Sequence, residues 1–107
     1  MSTAPHAQVL SLAEMANYQD GAVVSRQITK AEGGNITLFA FDAGQELSEH
    51  TAPFDALVQV LDGQAEIIIA GQSFELKTGQ ALILPAGQPH AVKAPQKFKM
   101  LLTMIHS

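Results

Sequence analysis

Cysteine and tryptophan are absent from this sequence, and aromatic residues are few: five phenylalanines and a single tyrosine, Tyr18. Without cysteine there is no disulfide framework, no thiolate nucleophile and no cysteine-ligated zinc. This fits a cytoplasmic protein, and a cytoplasmic location is the expectation. Long apolar runs are missing too. No segment approaches the roughly 20 apolar residues of a membrane-spanning helix, so no membrane partner is expected. Met1–Leu12 lacks the pattern of a secretory signal, because His6 and Gln8 interrupt its apolar stretch. Positive charge is also in short supply. Six Lys and Arg against ten Asp and Glu leave a formal charge of −4, which argues against nucleic acid as a partner. Lys93, Lys97 and Lys99 do cluster near the C-terminus. Three lysines on or beside one strand read as a solvated rim that discourages edge pairing, with recruitment of an anion as the other reading.

What is present is apolar and strand-like. At 107 residues and 47% apolar composition, the chain can bury one core. It divides into an N-terminal segment, 1–21, and a β-barrel, 22–107. Residues 1–8 read as a loosely held terminus. Ser11-Leu-Ala-Glu14 has capping-box spacing, and Leu12, Met15 and Ala16 predict one short helix ending near Asn17–Gly21. Beyond Gly21 every segment is strand or turn. Strands are predicted over Ala22–Thr29, Ile36–Phe41, Ala56–Leu61, Gln64–Ile69, Ser73–Leu76, Gln80–Leu84, Pro89–Lys93 and Lys97–Ile105. Gly33–Asn35, Asp62–Gly63, Gly71 and Thr78–Gly79 supply the turns between them. Regular short strands of this kind predict an all-β sandwich or barrel.

Strict alternation fails at Ile67–Ile69, Leu82–Leu84 and Met100–Leu102, which are apolar on both faces. Something must cover the second face: a second subunit or the N-terminal residues Val9–Met15. A homodimer is the expectation, with Leu101 on its interface and Phe98, Met100, Leu102 and Met104 turned to the core.

The segment Gly79-Gln-Ala-Leu-Ile-Leu-Pro85-Ala-Gly87-Gln-Pro-His90 carries the most functional information. A turn glycine, a short buried strand and a rigid Pro-x-Gly turn present one imidazole from the barrel wall. Its spacing, G-x5-P-x-G-x2-H, resembles the second motif of the cupin superfamily. The first cupin motif, G-x5-H-x-H-x3-E-x6-G, matches at Gly44, His50 and Gly63. The resemblance spans about half the chain, Gly44 to His90, and implies a single double-stranded β-helix, the cupin jelly-roll barrel. Small cupins commonly dimerise through one sheet, as the apolar faces also imply.

Departures from the motifs bear on function. Metal-binding cupins use two histidines, a third ligand from the first motif and the second-motif histidine. Here Ala52 and Ala56 stand at two of those ligand positions, and Ala94 stands where Asn often follows the second motif. His50 and His90 remain as candidate metal ligands, and a weakly bound divalent ion (Zn, Ni, Fe or Mn) is the cofactor the resemblance leaves open. Asp55 is a poor substitute, since neighbouring strand residues face opposite ways. Glu46 and Glu49 are acidic residues near His50 that could complete a site or simply be solvated. Period-two counting from Ala56 turns Val58 and Val60 into the barrel, and Phe39 and Phe41 share one strand face. His50, His90, Phe39, Phe41, Val58 and Val60 are therefore the candidate ligand-binding residues. Ser25 and Ser48 have no activating partner in the sequence. His6 and His106 lie near the ends and are expected to be exposed.

Three functions fit these residues. The first is a small organic ligand bound in a barrel whose metal site is degenerate. The second is a metal-dependent isomerase or dioxygenase-like enzyme using His50 and His90. The third is a structural or interaction module.

Overall fold

The computed structural model describes residues 3–106; of the terminus read over residues 1–8, Met1 and Ser2 lie outside the described residues. Eight strands run in chain order: β1 Val23–Ala31, β2 Gly34–Phe41, β3 Glu46–His50, β4 Ala56–Ile69, β5 Gln72–Lys77, β6 Ala81–Leu84, β7 His90–Lys93 and β8 Phe98–Ile105. All pairings are antiparallel. One sheet has the order β1-β2-β8-β4-β6, and the other β3-β7-β4-β5. The long strand β4 belongs to both, its first half to one sheet and its second half to the other. This is the curled, nearly all-β jelly roll that the motifs imply.

The expected turn at Asp62–Gly63 is instead the corner of β4. Ala56, Val58 and Val60 are buried along the first half, and Ala65, Ile67 and Ile69 along the second. The inward set thus changes from even to odd numbers, because a bulge between Val60 and Asp62 inserts one residue into the ladder with β8. Gly63 makes the corner sterically feasible. Its φ is +75°, and a Cβ there would lie 2.2 Å from the Lys97 carbonyl oxygen. Most other predicted strand ends move by one or two residues. Strand β2 starts at Gly34, which leaves Glu32 and Gly33 as the hairpin turn, and Glu46–His50 forms a strand the polar sequence did not announce.

Between the sheets lies the main core, centred on Phe41, Val58, Val60, Ile67, Phe98 and Met100. Phe41 and Phe98 stack with ring centroids 4.5 Å apart. A second cluster lies on the outer face of the first sheet, where Ala4, Leu10, Leu12, Met15, Ala16 and Tyr18 cover Ile28, Leu38, Ala40 and Leu101. The N-terminal segment, not a second subunit, therefore buries Leu101, and the interface expected there is corrected. The short helix reduces to one 3-10 turn, Leu12–Glu14, and the Ser11 side chain caps nothing. Laying Leu10, Leu12, Met15 and Ala16 onto a flat sheet favours an irregular chain over a helix with one apolar stripe. The terminus read as loosely held is pinned at one point, Ala4, which is buried and whose N–H donates to the Ile28 carbonyl at 2.9 Å, while residues 5–9 are exposed.

Lys99 likewise departs from the solvated rim. It is buried beneath the N-terminal segment, where its ammonium donates to the Ala13 carbonyl and sits 4.9 Å from the Tyr18 ring centroid. The Tyr18 hydroxyl donates to the Asp62 carboxylate. Burial and that carboxylate together raise the phenol's pKa. Beyond this segment, Leu57, Ile83 and Ile105 lie on the outer face of the same sheet, with Ile83 58% and Ile105 47% exposed. Among the described residues no helix is long and apolar enough to cross a membrane.

Candidate functional site

The loops 51–55 and 85–89 join the two sheets at one end of the barrel, and they are laced together. Gly87 N–H donates to the Ala52 carbonyl, and Ala86 N–H to Asp55 Oδ1, both at 2.8 Å. Gly87 turns with φ +76°, a conformation that favours glycine. His50 closes β3, His90 opens β7, and the two are register partners. Two histidines forty residues apart in sequence thus meet at the mouth.

Their Nε2 atoms are 3.1 Å apart, and the rings stand edge to face with centroids separated by 4.3 Å. His90 is buried at 5% exposure, whereas His50 is exposed. His50 Nδ1 lies 2.8 Å from the Ser48 carbonyl oxygen. A carbonyl can only accept, so Nδ1 carries the proton and His50 Nε2 is bare in the neutral ring. His90 Nε2–H then donates to it. That assignment leaves His90 Nδ1 a bare, buried acceptor without a well-formed hydrogen-bond partner among the described residues. Burial, and next the charge His50 can carry, lower the His90 pKa, while the Gln88 backbone opposes them more weakly. The 3.1 Å contact holds one proton between the two Nε2 atoms, because two N–H groups there would point at each other. One positive charge fits this arrangement; two do not.

The donor set does not fit a tightly held metal ion. A structural or catalytic zinc takes three or four protein ligands. Ala52 and Ala56 offer only methyl groups, and the described residues contain no cluster of three or more His, Asp or Glu. Asp55 is engaged at the Ala86 amide. Glu46 and Glu49 are exposed, and Glu46 is the register partner of Lys93.

The other candidate residues separate by depth. Phe41, Val58 and Val60 are enclosed in the packed core at 0–1% exposure. Phe39 is half-buried, 6.1 Å from Phe41 between centroids. Half-buried Leu102 and Met104 continue the inner face of β8 toward the mouth beyond buried Phe98 and Met100. Period-two reading of β8 already placed Leu102 and Met104 inward; their half-open state depends on the loops around them. At the loop 51–55, a 280 Å3 cavity is lined by Ala52, Pro53, Phe54, Asp55, Met104, Ile105 and His106, and neither His50 nor His90 forms part of its wall. No sequence pattern announced it, because its walls come from a loop and the far end of β8. His6 and His106 are exposed, as expected.

Residues 37–106 match the family model of the cupin domain. Among solved structures, a conserved protein of unknown function from Streptococcus pyogenes is 36% identical, with a TM-score of 0.91 over 100% of this chain and 96% of that one. A cupin 2 conserved barrel domain protein from Leptotrichia buccalis is 40% identical with a TM-score of 0.88, over 91% of this chain but 47% of that one. A cupin superfamily protein from Desulfitobacterium hafniense is 28% identical, with a TM-score of 0.91 over 99% and 97%. Salicylate 1,2-dioxygenase from Pseudoaminobacter salicylatoxidans, at 14% identity and a TM-score of 0.73, shares the fold alone. No curated protein matches the chain.

Proposed function

The chain belongs to the cupin-domain family, and from that premise we propose that it binds a small organic anion at the barrel mouth through His50 and His90. The observation that carries this reading is the 3.1 Å contact between one buried and one exposed imidazole nitrogen. A carboxylate or enolate that replaces the Ser48 carbonyl as acceptor at His50 Nδ1–H would meet the exposed end of this pair. A hydrogen bond to a charged ligand contributes about 1.5–3 kcal/mol. Phe39, Leu102 and Met104, half-buried on the facing sheet, supply apolar contact. A divalent ion is the specific competitor for this seat. On one tetrahedral ion with Zn–N bonds of about 2.05 Å, two nitrogens stand roughly 3.3 Å apart, near the observed separation.

The test is calorimetric titration of untagged, dialysed protein with small carboxylates, alongside His50→Ala and His90→Ala. Each substitution is expected to weaken binding by about tenfold or more while the melting transition is retained. Wild-type affinity in both variants, or one retained metal ion per chain after dialysis, would overturn the reading. The homodimer proposal moves from Leu101 to Ile83 and Ile105, whose exposure supports it. Light scattering should show a dimer that Ile83→Asp dissociates; a monomeric wild type ends the idea.

A further inference from the structure

The loop 51–55 and the far end of β8 enclose a cavity that neither histidine of the mouth borders. Its 280 Å3 adjoins a more open space of 520 Å3, and the two share Pro53, Phe54, Asp55 and Ile105. Backbone hydrogen bonds pin these walls. The Ala52 carbonyl accepts from Gly87 N–H at 2.8 Å, the Asp55 carbonyl from Ile105 N–H at 3.3 Å, and the Gly33 carbonyl from His106 N–H at 2.8 Å. Most of the lining is apolar, and its one carboxylate, Asp55, borders both spaces. Phe54 is 38% exposed, and its ring centroid lies 6.1 Å from that of His106. His106 is the other ionisable side chain on these walls among the described residues, and no lysine or arginine lines either space.

Asp55 has capacity beyond anchoring the loops. Its Oδ1 accepts from the Ala86 amide at 2.8 Å, which fixes the carboxylate between the loops 51–55 and 85–89. An ionised carboxylate has two oxygens and about four acceptor sites, so this bond leaves room for a donor from outside. An ammonium ion suits each feature of the wall. Its N–H groups donate to the carboxylate in charge-assisted bonds, and its charge is attracted to the face of the Phe54 ring. The formal charge of −4 favours a cation on approach. We propose that this cavity binds a protonated primary amine, with its ammonium on Asp55 and its apolar body against Phe54 and Met104. The site is separate from the anion seat at His50 and His90, and the adjoining open space sets no limit on the length of the body. Ile105 borders both this cavity and the proposed dimer face, so the test does not use it.

Cyclohexylamine and cyclohexanol share one ring and differ in charge. Amide chemical shifts of the full-length, metal-free protein at mildly alkaline pH follow both titrations. The expected result is that cyclohexylamine, as its ammonium ion, binds about tenfold or more tighter than cyclohexanol, with shifts at Ala52, Phe54, Asp55 and His106. Asp55→Asn keeps an acceptor for the Ala86 amide and removes the charge. It should weaken cyclohexylamine by about tenfold or more while the melting transition is retained. Phe54→Leu keeps an apolar wall without the ring face, and should weaken the amine by about twofold to fivefold. His50→Ala and His106→Gln should leave the amine's affinity unchanged, which separates this site from the anion seat. Cyclohexanol bound as tightly as cyclohexylamine, or an unchanged amine affinity in Asp55→Asn, would overturn the proposal, as would shifts confined to His50 and His90. Should Asp55→Asn not fold, the comparison of amine with alcohol in the wild type decides.

Discussion

The two ends of this barrel are built on opposite principles. At the corner of β4, Phe41, Val60, Phe98 and Met100 are fully enclosed, two rings stack, and Gly63 allows backbone to approach backbone. At the mouth, Phe39, Leu102 and Met104 remain half-open, and the polar content is one buried and one exposed imidazole. The same strands supply both ends. Over the five residues from Met100 to Met104, β8 passes from full to partial burial. Stability is therefore concentrated at one end, and the other is free to carry chemistry.

Substitutions at the two ends should differ accordingly. Phe98→Ala at the closed end is expected to cost about 3–5 kcal/mol, read in chemical denaturation as a strongly lowered midpoint. Leu101→Asp should be next, because it places a carboxylate beneath the N-terminal segment at a cost of several kcal/mol. Its signature is lowered folding stability rather than a change of oligomer. Gly63→Ala should cost about 2–3 kcal/mol through strain at a positive φ and contact with the Lys97 carbonyl. At the open end, Met104→Ala should cost only about 1–2 kcal/mol, roughly half of a fully buried site, while changing ligand affinity. Equal losses for Phe98→Ala and Met104→Ala would erase the distinction between the ends.

The smallest effect is the pH dependence carried by His90. Its folded pKa is lowered from 6.5, so below that value the unfolded chain binds the proton more readily than the folded one. Stability from this group is full above about pH 6.5 and declines as the pH falls through the lowered folded value. Denaturation series at neutral and mildly acid pH should show that slope, and His90→Gln should flatten it.

The closed end was legible in the sequence because repetition encodes it. Alternation along β8 assigned Phe98 and Met100 inward, and the glycine, proline and histidine spacings resemble the cupin frame. Where a single residue decides the outcome, the pattern misled. Asp62–Gly63 has the composition of a turn, yet a bulge makes it a corner within one strand. Lys99 has the composition of a solvated rim, yet the Ala13 carbonyl and the Tyr18 ring receive it under cover. Polar Glu46–His50 showed no strand alternation, because β3 pairs only with β7 and remains largely exposed. At the site, the motifs identified both histidines. That they touch, and that a cavity opens at Ala52, depends on two loops meeting in space, which no local pattern records.

Histidine nitrogen NMR on untagged, metal-free protein tests the central claim most directly: His50 and His90 share one proton and receive an anion together. At mildly alkaline pH the account predicts His50 protonated on Nδ1 and His90 on Nε2, with the His50 Nδ1 signal moving when acetate is added. Two histidines of mixed tautomer that titrate independently and ignore acetate would contradict it.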